Sequence, residues 1–127
     1  MVEQKERKSR AGATSVEDVA QLAARFETWA AEDVIRWAMD TYGPKVAIST
    51  SFQADGMVVL DMAHRIDRDV KVFTVDTGRL PQETYDLIDR VREHYGLEVE
   101  VYYPDGEELE QMVGKHGINL FQRSVSL

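Results

Sequence analysis

The sequence predicts an α/β domain: a parallel sheet with helices on both faces. Three observations carry that expectation. Short apolar runs rich in β-branched residues alternate with longer stretches of helical periodicity, giving β-α-β-α-β-α after two leading helices. Strands that alternate with helices imply parallel neighbours joined by right-handed crossovers. Two polar loops, Ser49-Thr50-Ser51-Phe52-Gln53-Ala54-Asp55 and Asp76-Thr77-Gly78-Arg79, each follow a strand directly. Both therefore fall at the carboxyl ends of strands, where such sheets bind their ligands.

The chain as a whole narrows the function classes. Its 127 residues suit one domain. Apolar residues at 43% and charged residues at 30% describe a soluble globular protein. A formal net charge of −8 argues against nucleic acid as a main partner, because no basic face can dominate. No apolar run approaches a membrane span, and the charged N-terminus lacks a signal-peptide core, so no membrane and a cytoplasmic location are expected. There is no cysteine, which rules out disulfides, thiolate-bound metals and cysteine nucleophiles within this chain.

In order, residues 1–13 carry four basic and two acidic residues without apolar periodicity. Residues 1–14 therefore read as a disordered leader before a single domain over 15–127. Thr14 or Ser15 can cap a first helix, on which Val16, Val19, Leu22, Ala23 and Phe26 share a face. A second helix over about 31–42 turns Val34, Ile35, Ala38 and Trp37 inward and ends at Gly43-Pro44. Phe26, Trp29 and Trp37 read as packing residues. The first strand leads directly into the Ser49 to Asp55 loop, and a helix to about Ile66 offers Met57, Leu60, Met62, Ala63 and Ile66 for burial. The second strand, 70–75, is apolar on both faces in the manner of a buried parallel strand. Pro81 suits the start of a fourth helix, on which Tyr85, Ile88, Val91 and Tyr95 recur before a Gly96 stop. A third strand over 97–102, a Pro104-Asp105-Gly106 turn and an acidic helix over 107–116 follow. Residues 118–127 carry no assignable pattern.

The chemistry concentrates in the two loops. A strand-turn-helix aims backbone N–H groups and the positive end of a helix dipole at one point, which suits a phosphate or sulfate. Ser49, Thr50 and Ser51 add hydroxyl donors. The competing reading is local: Thr50 or Ser51 caps the helix while Phe52 packs beneath it. Arg79 can neutralise an oxyanion bidentately, or be an exposed arginine before a proline turn. Asp55 at a helix start favours the dipole, and beside a bound anion it has to point away or hold a cation. His64, His94 and His116 lie on three different predicted helices and read as helix-end residues rather than metal ligands. Neither a Gly-x-Gly-x-x-Gly nor a Gly-Lys-Ser/Thr motif is present.

Two stretches together carry a family resemblance. The 49–55 loop resembles the modified phosphate-binding loop of the sulfonucleotide reductases. Val75-Asp76-Thr77-Gly78-Arg79-Leu80-Pro81-Gln82-Glu83-Thr84-Tyr85 is similar to their second hallmark, Asp-Thr-Gly-x-Leu followed by Glu-Thr-Tyr. The resemblance runs from about Leu22 to the last residue, and the second motif is highly specific. It implies a fold like that of the adenine nucleotide alpha hydrolases and PP-loop ATP pyrophosphatases. It implies reduction of adenylyl sulfate, or its 3′-phosphorylated form, to sulfite. Residues 49–55 would hold the phosphosulfate, and Asp76, Thr77, Gly78 and Arg79 would line the nucleoside pocket. The arginine after the glycine looks like the adenylyl-sulfate branch.

The departure from the family pattern is as informative. Family members continue past Phe121-Gln122-Arg123-Ser124-Val125 into a cysteine-rich segment. That segment carries the nucleophile and, in the adenylyl-sulfate branch, the ligands of a [4Fe–4S] cluster. The present chain stops at Leu127 without any of them. The resemblance therefore implies an incomplete, substrate-binding part with no catalytic residue and no cofactor of its own. Thioredoxin or glutathione is implied as reductant of the complete enzyme, and a homo-oligomer is compatible with the pattern. The rivals fit less well. A pyrophosphatase wants a Ser-Gly-Gly-x-Asp-Ser loop, which Gln53 and Ala54 do not supply. A phosphoacceptor domain wants an acidic pair where Ser49, Thr50 and Ser51 stand. A non-catalytic nucleotide-binding remnant is the remaining alternative.

Overall fold

Apolar spacing builds each element, and parallel pairing then sorts them. The computed structural model describes residues 16–123, without the side chains of Val16 and Glu17. The leader expected over 1–14 lies outside the described residues. Helices α1 (Val16–Phe26) and α2 (Ala31–Tyr42) come first, and a 3-10 turn (Gly43–Lys45) follows the expected Gly-Pro stop. The remainder runs β1 (Ala47–Ser49), α3 (Ala54–Ile66), β2 (Lys71–Val75), α4 (Gln82–Tyr95), β3 (Val99–Tyr102), α5 (Gly106–His116) and α6 (Leu120–Arg123). Pro81 precedes α4 by one residue, and Gly96 closes that helix in the left-handed region at φ 62°. The unassigned stretch after 117 supplies the short α6.

The three strands pair in the order β1-β2-β3, all parallel, with Ile48 opposite Val72 and Val72 opposite Val99. The expected parallel α/β sheet is therefore present. Sequential order has a further consequence. Right-handed crossovers that step in one direction place α3 and α4 on the same face. The core agrees: Leu60 and Ala63 from α3, Val72 from β2, Ile88 and Val91 from α4 and Val99 from β3 form one buried cluster. Ile35 and Met39 of α2 pack against it.

The other sheet face differs from expectation. A second strand buried on both faces was the expectation. In β2 the side chains alternate instead, with Val72 and Thr74 buried and Lys71 and Val75 exposed. Val75 and Tyr102 are 57% and 54% exposed on that face, and a concavity of about 470 Å³ runs along it past Pro44, Ala47, Phe73 and Tyr102. The two crossover helices, α3 and α4, lie on one face, so the residues of β2 that point away from them are the exposed ones.

Polar contacts tie the helices of the covered face. The Tyr95 hydroxyl donates to Asp61 at 3.0 Å, which holds the Asp61 carboxyl below its usual range, while burial pushes the Tyr95 phenol up. His64 and His94 stand edge-on to Tyr95 at 5.0 and 4.7 Å, so both histidines pack at helix ends as expected. Phe26 meets Trp29 and Trp37 at 5.3 and 5.0 Å in a half-buried satellite cluster. Among the described residues no helix is long and apolar enough to cross a membrane.

Leu60→Ala is expected to destabilise the domain by about 2–5 kcal/mol, because Leu60 is fully buried between sheet and helix. Val59→Ala, one residue away and 40% exposed, is expected to cost about 1 kcal/mol or less. Urea unfolding of both variants checks the pair. Equal losses would place the core on the wrong side of α3.

Candidate functional site

The first loop is shaped by a close approach rather than by a cap. Thr50 is buried, and its N–H still donates to Phe73 O of the neighbouring strand at 3.1 Å. Its hydroxyl accepts the Phe52 N–H at 2.9 Å. Phe52 follows at φ 61°, the left-handed region that a bulky residue rarely adopts. Burial of its ring and the Thr50 hydrogen bond offset that strain, which costs on the order of 1–3 kcal/mol. The chain then turns into α3 with Gln53 as N-cap in extended geometry and with no side-chain cap. The local reading, in which Thr50 or Ser51 caps this helix, is thereby overturned. The Thr50 hydroxyl is spent on Phe52, and of the first N–H groups of α3 that of Gly56 is taken by the Asp55 carboxylate.

Gly56 makes this geometry feasible. It lies in the first turn of α3, and a Cβ there would collide with Thr50 Oγ1. Sequence reading passed over this residue. The available signal was a glycine in a helix start, which costs about 1 kcal/mol against alanine unless a close approach requires it. Asp55 accepts the Gly56 N–H at 2.8 Å, so its carboxylate is folded onto the helix start. Ser49, Ser51, Gln53 and Ala54 are exposed around the same turn.

The second loop is folded from within by Asp76. Its N–H donates to Tyr102 O at 2.9 Å, holding the loop to β3. Its Oδ1 accepts the Gly78 N–H at 2.6 Å and the Tyr85 hydroxyl at 2.9 Å. Gly78 sits at φ 80°, which glycine adopts without strain. Burial, then the hydrogen bond to Asp76, push the Tyr85 phenol up. Sequence reading placed Tyr85 on the helical stripe of α4 and in the Glu-Thr-Tyr hallmark; its hydroxyl reaching back nine residues to a strand-end aspartate was not visible in either. Thr77 is exposed at the loop tip. The Arg79 guanidinium donates to Ile118 O and lies 5.0 Å from the Phe121 ring centre, tying this loop to the segment before α6.

The parallel pairing brings both loops to one sheet edge: β1 ends opposite Phe73 and β2 ends opposite Tyr102. One loop offers helix-start N–H groups, one of them already taken by Asp55, and hydroxyls. The other offers a buried carboxylate, a threonine and an arginine. This edge can hold an oxyanion at one end and a hydrogen-bonding ligand group at the other. Well-formed concavities lie elsewhere, along the open sheet face and beside Trp29 and Trp37. Among the described residues no group of three or more His, Asp or Glu side chains is placed to hold a metal.

Gly56→Ala is expected to destabilise the domain by about 1–3 kcal/mol despite the better helix propensity of alanine, because Thr50 is displaced. In a Thr50→Ala background the same substitution is expected to be neutral or stabilising, since the colliding oxygen is gone. A thermodynamic cycle by urea unfolding reads the coupling directly. Additive effects would show that Thr50 and Gly56 do not meet.

The pattern of the phosphoadenosine phosphosulfate reductase domain matches residues 45–126. An adenosine 5′-phosphosulfate reductase of Pseudomonas aeruginosa (strain LESB58) is 42% identical over 106 residues, covering 84% of this chain and 39% of that protein. The chloroplastic 5′-adenylylsulfate reductase 3 of Arabidopsis thaliana is 37% identical over 106 residues, covering 84% of this chain and 23% of that protein. A crystal structure of phosphoadenylyl-sulfate (PAPS) reductase from Candida auris, in complex with phosphate, superimposes with a TM-score of 0.74 at 30% identity. It covers 89% of this chain and 55% of that one. The chain thus spans less than half the length of these curated relatives. With the strand-end loops, the parallel sheet and these matches in agreement, the chain belongs to the phosphoadenosine phosphosulfate reductase domain family.

Proposed function

We propose that this chain is the sulfonucleotide-binding part of an adenylyl-sulfate reductase, with residues 15–127 forming that domain and adenosine 5′-phosphosulfate as its substrate. The observation that carries the reading is the start of α3, which has no cap from Gln53 and approaches Thr50 closely at Gly56, beside the Asp76 loop on the same sheet edge. In this reading the turn of Ser49, Thr50, Ser51, Phe52, Gln53, Ala54 and Asp55 receives the phosphosulfate. Backbone N–H groups and the exposed Ser51 hydroxyl supply its hydrogen bonds. Asp76, Thr77, Gly78 and Arg79 meet the nucleoside. One guanidinium N–H of Arg79 goes to Ile118; the other donors and the positive charge serve the edge.

The reaction of the complete enzyme is a thiolate attack on the sulfate sulfur, which leaves AMP and a thiosulfonate that external thiols reduce to sulfite. Thioredoxin or glutathione supplies those thiols. This chain has no cysteine, so its own residues bind and orient the sulfonucleotide and offset its charge. The same absence means that the chain offers no thiolate to the [4Fe–4S] cluster of the adenylyl-sulfate branch. Relatives named for adenosine 5′-phosphosulfate favour that substrate over the 3′-phosphorylated form. Cytoplasmic residence accords with this role.

Calorimetry at about millimolar nucleotide is expected to show weak binding of adenosine 5′-phosphosulfate and of AMP. Competition by 3′-phosphoadenosine 5′-phosphate is expected to be weaker than by AMP; the opposite order overturns the branch assignment. Ser51→Ala and Arg79→Ala should each weaken binding about ten- to a hundredfold, as loss of a hydrogen bond to a charged group does. Variants that melt earlier but bind like the parent would reduce both residues to structural roles.

Incubated with adenosine 5′-phosphosulfate and excess thioredoxin or glutathione, the chain should release no sulfite. No other side chain matches a thiolate as a nucleophile near neutral pH, and attack by a serine would give a sulfate ester that thiols do not reduce. Sulfite from the purified chain would refute the mechanism.

A further inference from the structure

A concavity of about 480 Å³ beside Trp29 and Trp37 lies apart from both strand-end loops. Asp33, Arg36, Trp37 and Asp40 line it from α2, and Trp29, just before that helix, completes it. Spacings of three and four residues place the α2 members on one helical face. Both indole rings are half-buried, and neither indole N–H has an acceptor among the described residues. Asp33 and Asp40 are exposed and form no ion pair among those residues, so two carboxylates stand beside the single cation Arg36. The Arg25 guanidinium already lies 5.3 Å from the Trp29 ring centre, so this ring does attract a guanidinium. An acidic, aromatic cleft with idle N–H donors suits a peptide segment that carries arginine.

We propose that this cleft seats the chain's own N-terminal segment, with Arg7, Lys8 and Arg10 meeting Trp29, Trp37, Asp33 and Asp40. Charge and reach both support that occupant. Residues 1–13 hold Lys5, Arg7, Lys8 and Arg10 against Glu3 and Glu6, in a chain whose formal net charge is −8. A basic stretch of an acidic protein is drawn to its carboxylates, and at this cleft the aromatic faces add to that attraction. The segment joins the fold at Val16, the first residue of α1. At the other end of α1, Phe26 meets Trp29 and Trp37 at 5.3 and 5.0 Å. The distance to be covered is therefore the length of α1, whose 11 residues span ~16 Å. Arg10 lies six positions before Val16, and an extended chain covers ~20 Å in that many steps. A reversal at Ala11-Gly12-Ala13, where side chains are smallest, followed by a return along α1 brings Arg10 to the cleft. Attachment through α1 gives the segment an effective concentration of roughly millimolar, so a contact of modest area suffices. Neither strand-end loop nor any bound nucleotide takes part in it.

Two measurements on the full chain test this. A carbodiimide joins a lysine amine to a carboxylate in contact with it, and peptide mapping then locates the link. Links from Lys5 or Lys8 to Asp33 or Asp40 are expected. Mixing protein labelled with heavy nitrogen and unlabelled protein separates links within one chain from links between two, and the former are expected. The second measurement is acrylamide quenching of tryptophan emission, since both tryptophans of the chain line the cleft. Arg7→Gln with Arg10→Gln is expected to raise the quenching constant about twofold, as loss of exposed ion pairs shifts the seated fraction. Asp33→Asn with Asp40→Asn should do the same, and all four substitutions together should add nothing further. The parent in ~1 M salt should resemble the variants, because the charge attraction is screened. Circular dichroism checks folding; should the aspartate pair unfold, the arginine pair and the salt series decide. Links spread over other carboxylates, quenching indifferent to the arginines, or additive effects overturn the proposal. Links found only between chains assign the cleft to a second copy and overturn it equally.

Discussion

Both candidate loops leave the sheet still held by a strand hydrogen bond. Thr50 N–H donates to Phe73 O just past β1, and Asp76 N–H donates to Tyr102 O just past β2. Each bond extends the parallel ladder by one residue beyond the regular strand and fixes where the loop begins. Parallel neighbours share a direction, so both departures occur on the same edge. The side chains of the same two residues then fold the loops inward: the Thr50 hydroxyl onto Phe52 and the Asp76 carboxylate onto Gly78. A single sheet constraint therefore places two chemically unlike turns beside each other, one rich in donors and one ending in an acceptor.

Much of this was legible in the chain. Alternation of strand and helix patterns gave the parallel sheet, and glycine and proline marked most helix ends, as at Gly43 and Gly96. Spacing identified the buried residues of α3 and α4, because a helix packed on one side buries residues three and four apart. What was not legible depended on contacts between distant residues. Gly56 is in a helix by local pattern, and only the approach of Thr50 explains why it is glycine. Tyr85 falls on the apolar stripe of α4, and the stripe conceals that its hydroxyl serves Asp76. The burial expected on both faces of β2 differed for another reason. Apolar residues occur on both faces of β2, but which of them are buried is decided by where the crossover helices lie rather than by the strand's own residues.

That one-sided burial sets the energetic character of the domain. Leu60, Ala63, Val72, Ile88, Val91 and Val99 concentrate the apolar contacts between the sheet and three helices. The opposite face presents Phe73, Val75 and Tyr102 beside Lys71 and Glu100. Hydrophobic stabilisation scales with apolar area removed from water, so a sheet covered on one side gains about half of what its strands offer. Loop geometry on the carboxyl edge is thus supported mainly from the α3 and α4 side.

The aromatic cluster of the leading helices has a practical optical consequence. The chain's two tryptophans, Trp29 and Trp37, both belong to it, with Phe26, Tyr42 and the Arg25 guanidinium as their ring partners. Long-wavelength emission therefore reports whether α1 and α2 are seated, and is blind to the chemistry at the strand ends. Circular dichroism, in contrast, averages over every helix. Coincident denaturation curves from the two signals would establish that the leading helices melt in one cooperative step with the sheet. An earlier transition in emission would identify them as a separately unfolding unit, leaving the nucleotide edge intact beneath.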